Sequence, residues 1–210
     1  MPVPSDDDAA SGLARPGFPR NIDAVETEEI YRRSSAEFGK RAHAIGDRWD
    51  LPTPCPGWNV RELVRHLVDE EQWAVPLLAG ETIEAVGDRF AGDLLGDDPV
   101  RSLDDAAAAA VAAVEAPGVL DRPVHLSFGD HPGREYAMQL AADHLVHAWD
   151  LARAIGADET LDADVVAAIR KWFESMEPTY RDIGVIGPRV DVPAGAGPQA
   201  ELIGMFGRNP

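Results

Sequence analysis

The chain predicts an all-α fold, a four-helix bundle with an extra C-terminal helix and an irregular tail, and three observations predict it. Five stretches repeat apolar residues at the 3.6-residue spacing of a helix. Helix-start and helix-stop residues stand at the ends of several of them. Alternation of the kind a strand needs is confined to Val124–Gly129, a short strand or extended loop.

The first helix is expected over 25–46, where Ile30, Ser34, Phe38, Ala42 and Ile45 share one stripe. Residues 47–58 hold three prolines and a glycine and must form a loop. The second helix starts after Asn59, an N-cap residue. Glu62 completes a variant of the capping box, and the helix runs to about Leu78. Its stripe is Leu63, His66, Leu67, Glu70, Trp73 and Leu77. A Gly- and Asp-rich connection fills 80–99. The alanine-rich third helix at 100–116 is stopped by Pro117 and Gly118. The fourth helix spans about Gly133 to Ile155 and ends at Gly156. A fifth covers 162–177, and a short one is expected at 198–206. The organisation that follows is a loose N-terminal tail at 1–22, a bundle at 23–182, and a C-terminal extension at 183–210 packed on it. The long 80–99 and 117–132 connections allow crossovers in place of simple hairpins.

Composition excludes several functions. With 210 residues, 45% of them hydrophobic, the chain can bury a sizeable core. The net charge of −18 repels nucleic acid and anionic lipid, so neither is an expected partner. No apolar run approaches the roughly 20 residues that span a bilayer, and the N-terminal segment lacks the pattern of a secretory signal, which makes a cytoplasmic location the expectation. Cys55 is the single cysteine, so a metal held by one chain would need His, Asp and Glu in place of a thiolate cage.

Asp143 and His147 stand four residues apart on the fourth helix, in the stripe Tyr136, Leu140, Asp143, His147, Leu151 and Ala154. A carboxylate and an imidazole on a core-facing stripe must be paired, hydrogen-bonded or bound to a metal. The second helix carries a similar interruption, His66 and Glu70. Two histidines and a carboxylate from facing helices form a common divalent-metal set. Zn²⁺, Ni²⁺, Fe²⁺ and Mn²⁺ are all compatible, and three protein ligands leave a position open for water or substrate. From spacing alone, a buried His–Asp hydrogen bond remains the competing reading.

Three segments carry a resemblance. Residues Pro52–Leu67, with Cys55, Gly57, Trp58 and His66, resemble the start of the metal-binding domain of mycothiol-dependent maleylpyruvate isomerases, a group of the DinB-like superfamily of four-helix bundles. Asp143–Ala152 resembles its second block, in which an acid precedes a His by four residues and Asp-Leu follows. Met205–Pro210 resembles the close of an actinobacterial branch of the group. The likeness covers about residues 25–210. It implies a DinB-like bundle with metal ligands at His66, Asp143 and His147, the acid being Asp here where the family commonly has Glu. The isomerases' separate C-terminal domain has no counterpart after the fifth helix. The implied chemistry is activation of a small thiol, mycothiol or another low-molecular-weight thiol, toward an electrophilic substrate. Zinc is the first choice of metal.

Other residues are weighed against plainer roles. His144 points off the stripe and is expected to support the site or face solvent. His125 and His131 read as solvated, and His43 as an ordinary helix-face histidine. Cys55 reads as a small half-buried turn residue, with a nucleophile as the alternative. Trp58 anchors its loop beside the N-cap. Asp150, three residues after His147, either orients a ligand histidine or receives Arg153. Trp149 serves packing or an interface, in keeping with a homodimer. Glu70 is the candidate catalytic residue, a ligand or a general base. The functional expectation is a metal-dependent, thiol-linked transferase or isomerase. The alternatives are a non-catalytic binding or dimerisation module with a lost metal site, and a metal-dependent hydrolase with Glu70 as base.

Overall fold

A computed structural model describes residues 26–182, 184 and 186–210; the expected tail at 1–22 lies outside them. Its elements are α1 (Thr27–Ala42), α2 (Val60–Leu78), the short α3 (Ile83–Val86), α4 (Pro99–Val114), a 3₁₀ turn at Val119–Asp121, the strands β1 (Pro123–Leu126) and β2 (Gly129–Pro132), α5 (Gly133–Ile155), α6 (Ala163–Asp182) and α7 (Pro198–Met205). The expected all-α fold stands, and Val124–Gly129 resolves into an antiparallel hairpin with Val124 opposite His131.

The bundle is a ring of four helices. α5 packs between α1 and α2, and α4 packs between the same two from the other side. Consecutive helices α1 and α2 therefore lie across the diagonal, as do α4 and α5. The 117–132 connection crosses the bundle end as its length allows, and so does the proline-rich 43–59 loop. The 80–99 connection only joins neighbours. α5 ends up central. Leu145, Ala148, Leu151 and Ala152 are fully buried, and so are His144 and Asp150. A helix buried on nearly every side shows no single stripe.

Local chemistry explains the element ends. The Asn59 side chain accepts the Glu62 backbone N–H at 2.9 Å, while the Glu62 carboxylate accepts the Asn59 N–H at 2.7 Å, closing a capping box. Gly156 ends α5 in the left-handed region, at φ 66°. α6 runs past the expected stop at 177 and through Pro178 to Asp182. Tyr180, buried against Phe173 and hydrogen-bonded to Glu135, holds the turn that the proline weakens.

The C-terminal segment folds back onto the bundle. α7 packs on α6, and Val190 donates its N–H to Gly204 O at 2.9 Å. A Cβ at Gly204 would lie 2.6 Å from the Val190 carbonyl oxygen. Gly204→Ala is therefore expected to push the segment off its seat and lower stability by about 1–3 kcal/mol, the usual cost of overpacking. Thermal and chemical denaturation check this; an unchanged midpoint would mean the backbone yields freely. No described helix is long and apolar enough to cross a membrane.

Candidate metal centre

The site lies in the groove between α2 and α5, beneath α6 and the C-terminal segment. His66 is in the second turn of α2; Asp143 and His147 share a face one turn apart on α5. Asp143 stands between the two imidazoles. Its Oδ2 accepts from His66 Nε2 at 3.0 Å, and its Oδ1 is 3.2 Å from His147 Nε2. One ligand-type atom from each residue lies within 4.8 Å of the others. The stripes of the two helices thus do converge.

The proline-rich loop supplies one wall. Thr53 closes it by donating from Oγ1 to Trp58 O at 2.9 Å and accepting the Cys55 N–H at 3.2 Å. This turns the Trp58 ring against His66, 4.9 Å between centroids, and His147, 5.9 Å. Trp58 is therefore part of the site wall as well as a loop anchor. The opposite walls come from Tyr136 and Leu140 on α5, Trp172, Phe173 and Tyr180 on α6, and Phe206–Arg208, enclosing about 760 Å³. Glu135, buried, fixes two of these aromatics by accepting from Trp172 Nε1 at 3.0 Å and Tyr180 OH at 3.4 Å.

Electrostatics divide the acids. Burial works against charge on Asp143, yet the neighbouring His147 and His66 hold it well below the usual carboxylate range. Burial likewise disfavours the His147 cation, but Asp143, then Asp150 and Cys55, carry its pKa well above the ordinary imidazole value. Glu70 goes the other way. Burial, then the charge of Asp143, push its pKa up against the opposing pull of His66. One carboxylate is thus kept ionised beside another that holds its proton more tightly, the pairing that separates acid from base roles.

The profile of the "Mycothiol maleylpyruvate isomerase N-terminal domain" matches residues 31–152, more than half the chain. The chain belongs to this family. The family's span runs from α1 to the last turn of α5 and so takes in His66, Glu70, Asp143, His147 and Asp150. Among curated relatives, uncharacterized proteins from two strains of Mycobacterium tuberculosis are each 32% identical over 124 residues. The aligned stretch covers 59% of this chain and 64% of each relative. No solved structure matches.

Other residues of this family member settle differently. His144 does not face solvent: it is fully buried, its Nδ1 donating to Leu140 O at 2.6 Å and its Nε2 lying 2.7 Å from Glu71 Oε1, on the bundle side of α5 away from the cavity. Trp149 packs in the core with Arg153 over its ring, so it offers no interface. Asp150 meets His147 and not Arg153, which pairs with Glu159. Cys55 is buried at the site, its Sγ 3.7 Å from His147 Nδ1 and 3.2 Å from Asp150 Oδ2. His125 pairs with Asp130, His131 stacks on Phe128 and His43 meets Asp104; none of these histidines lines the cavity. Sequence reasoning missed Glu71, Trp172, Tyr180 and Arg208. Arg208 sits in the motif that carried the third part of the resemblance, which was the one available signal.

Proposed function

We propose that the protein is a metal-dependent, thiol-linked transferase or isomerase acting on a small electrophile. One observation carries the reading: the convergence of His66, Asp143 and His147 on the wall of a cavity of about 760 Å³. The donor set fits a divalent metal. Two imidazoles already crowd one ionised carboxylate, and both point Nε2 at it. Zinc suits it best; nickel, iron and manganese are compatible. A divalent metal held by these three residues would lower the pKa of a bound thiol such as mycothiol and favour its thiolate.

The chain's own residues supply the rest. Trp58, Tyr136, Trp172 and Phe206 give the substrate an apolar surface and displace water from it. Glu70, which lines the same cavity and has a raised pKa, is placed to take up the thiol proton and return it to the carbon that gains electrons when the thiolate adds. Among the described residues, the only Lys or Arg lining the cavity is Arg208, and Asp150, Cys55 and Phe206 O already engage its guanidinium. Among the described residues, a dianionic acid finds no free side-chain cation here. The preferred electrophile is therefore neutral, with an apolar or aromatic body.

The test starts from protein purified without a histidine tag. Elemental analysis should find close to one metal per chain, absent from His66→Ala and His147→Ala. Thiol should then be consumed with a neutral aromatic electrophile faster than with a dicarboxylate. Glu70→Gln should keep its metal and lose about 10²–10⁴-fold in rate. Wild-type protein that takes up no divalent metal would end the proposal. Consumption of electrophile without thiol would transfer the site to hydrolysis, with Glu70 as base on bound water.

A further inference from the structure

We infer that Arg208 and Asp150 form a relay from the C-terminal segment that fixes the ring of His147, keeping the proton on Nδ1 and the Nε2 lone pair turned toward His66 and Asp143. The inference rests on the reading of His147 as a metal ligand, and it makes Asp150 and Arg208 positioning residues of that centre.

Asp150 is fully buried, so its carboxylate must be fully partnered. Its Oδ2 accepts from His147 Nδ1 at 2.9 Å, from Arg208 Nη2 at 2.9 Å and from the Cys55 thiol at 3.2 Å. Arg208 Nε reaches both carboxylate oxygens at 3.3 Å. In a ligating histidine, the bond made by one ring nitrogen decides which nitrogen is free for the metal. Here both ring nitrogens face carboxylates: Nδ1 makes the shorter contact, 2.9 Å to the fully buried Asp150, and Nε2 faces the other two ligands, 3.2 Å from Asp143 Oδ1.

Cys55, His147 and Asp150 also bring metal-type donors within 4.8 Å of one another, on the Nδ1 side of the same ring. The guanidinium of Arg208 occupies that side, with Nη2 3.2 Å from Cys55 Sγ. A dication there would meet a like charge at contact distance. The two sides of His147 therefore divide their tasks: Nε2 faces the ligand set, and Nδ1 faces an orienting set closed by arginine.

The path of the chain supports this placement. Phe206 stacks on Phe173, 4.2 Å between centroids. Gly207, at φ 79°, turns the backbone into a conformation that side-chain-bearing residues rarely adopt. Arg208 donates its backbone N–H to Ile203 O at 3.1 Å and its Nη1 to Phe206 O at 2.8 Å. Each contact holds the guanidinium over Asp150.

The test uses Asp150→Asn and Arg208→Gln in the full chain, with retained helicity checked by circular dichroism. In Asp150→Asn, Arg208 keeps the amide oxygen, so the amide NH₂ turns to His147 and forces the ring proton onto Nε2, the wrong tautomer for binding. Nitrogen-15 spectra of the metal-free protein, at a pH where the ring is neutral, should show the proton on Nδ1 in wild type and on Nε2 in Asp150→Asn. Zinc affinity by chelator competition should fall about 10–100-fold in Asp150→Asn and by a smaller factor in Arg208→Gln. A wild-type ring protonated on Nε2, or an Asp150→Asn affinity within twofold of wild type, overturns the inference. Should wild type take no divalent metal, the functional reading fails, and the tautomer spectra still decide the relay.

Discussion

Glu71→Ala is expected to destabilise the protein by about 3–5 kcal/mol, the usual cost of removing one partner of a buried charged pair. Glu71 and His144 are both within about 1% of full burial, and they meet at 2.7 Å in the middle of the bundle. Ser35 Oγ donates to the same Glu71 oxygen at 3.3 Å, and Leu140 O takes the other ring nitrogen of His144. Truncation strands the imidazole among apolar neighbours, with only the carbonyl left to it. The double change Glu71→Leu with His144→Leu should recover much of the loss, because it removes both desolvation costs together. The pH dependence has a definite sign. Burial lowers the pKa of His144, but Glu71 and the Leu140 carbonyl raise it by more, so the folded value is above the unfolded one. The pair's contribution is then fully present below the unfolded value of about 6.5 and fades as pH rises through the folded one. Urea titrations of wild type and Glu71→Ala at about pH 6 and pH 9 measure it. A deficit under about 1 kcal/mol, or one that grows with pH, would show that the pair is neutral and weakly coupled.

Asp143→Ala is expected to weaken zinc binding by more than about 100-fold, beyond the range typical of residues that only orient ligands. Asp143→Glu should retain most of the affinity, since the longer acid brings the same carboxylate and the groove is open on the cavity side. Asp143 also holds His66 and His147 together across α2 and α5. Metal uptake must displace the proton on His147 Nε2, the side that faces Asp143, so affinity should rise as pH climbs toward the raised pKa of His147. Chelator competition at several pH values reads both effects. An Asp143→Ala protein that binds zinc as tightly as wild type would remove Asp143 from the ligand set.

The residues that interrupt apolar stripes were readable without a structure, because periodicity assigns a face and a polar residue on that face demands an explanation. His66, Asp143 and His147 meet on that logic, and the Asn59–Glu62 cap and Gly156 mark their helix ends by local chemistry alone. Glu71 and His144 escaped it. Each lies next to a stripe residue, and only the ring order of the helices turns their sides inward. Trp172, Tyr180 and Arg208 escaped for another reason. Their partners Glu135 and Asp150 are 37 to 58 residues away in sequence. No periodicity reaches across α6 and the return of the tail.

The contact between Arg208 and Cys55 closes a loop with a sequence separation of 153 residues, nearly the whole described chain. Closure of so long a loop is entropically costly until the intervening helices have shortened it by docking. The ring of four helices can therefore be complete while the pocket is still open and His147 still free to turn. Loop closure thus favours an order of assembly in which the core forms before Arg208 docks on Asp150.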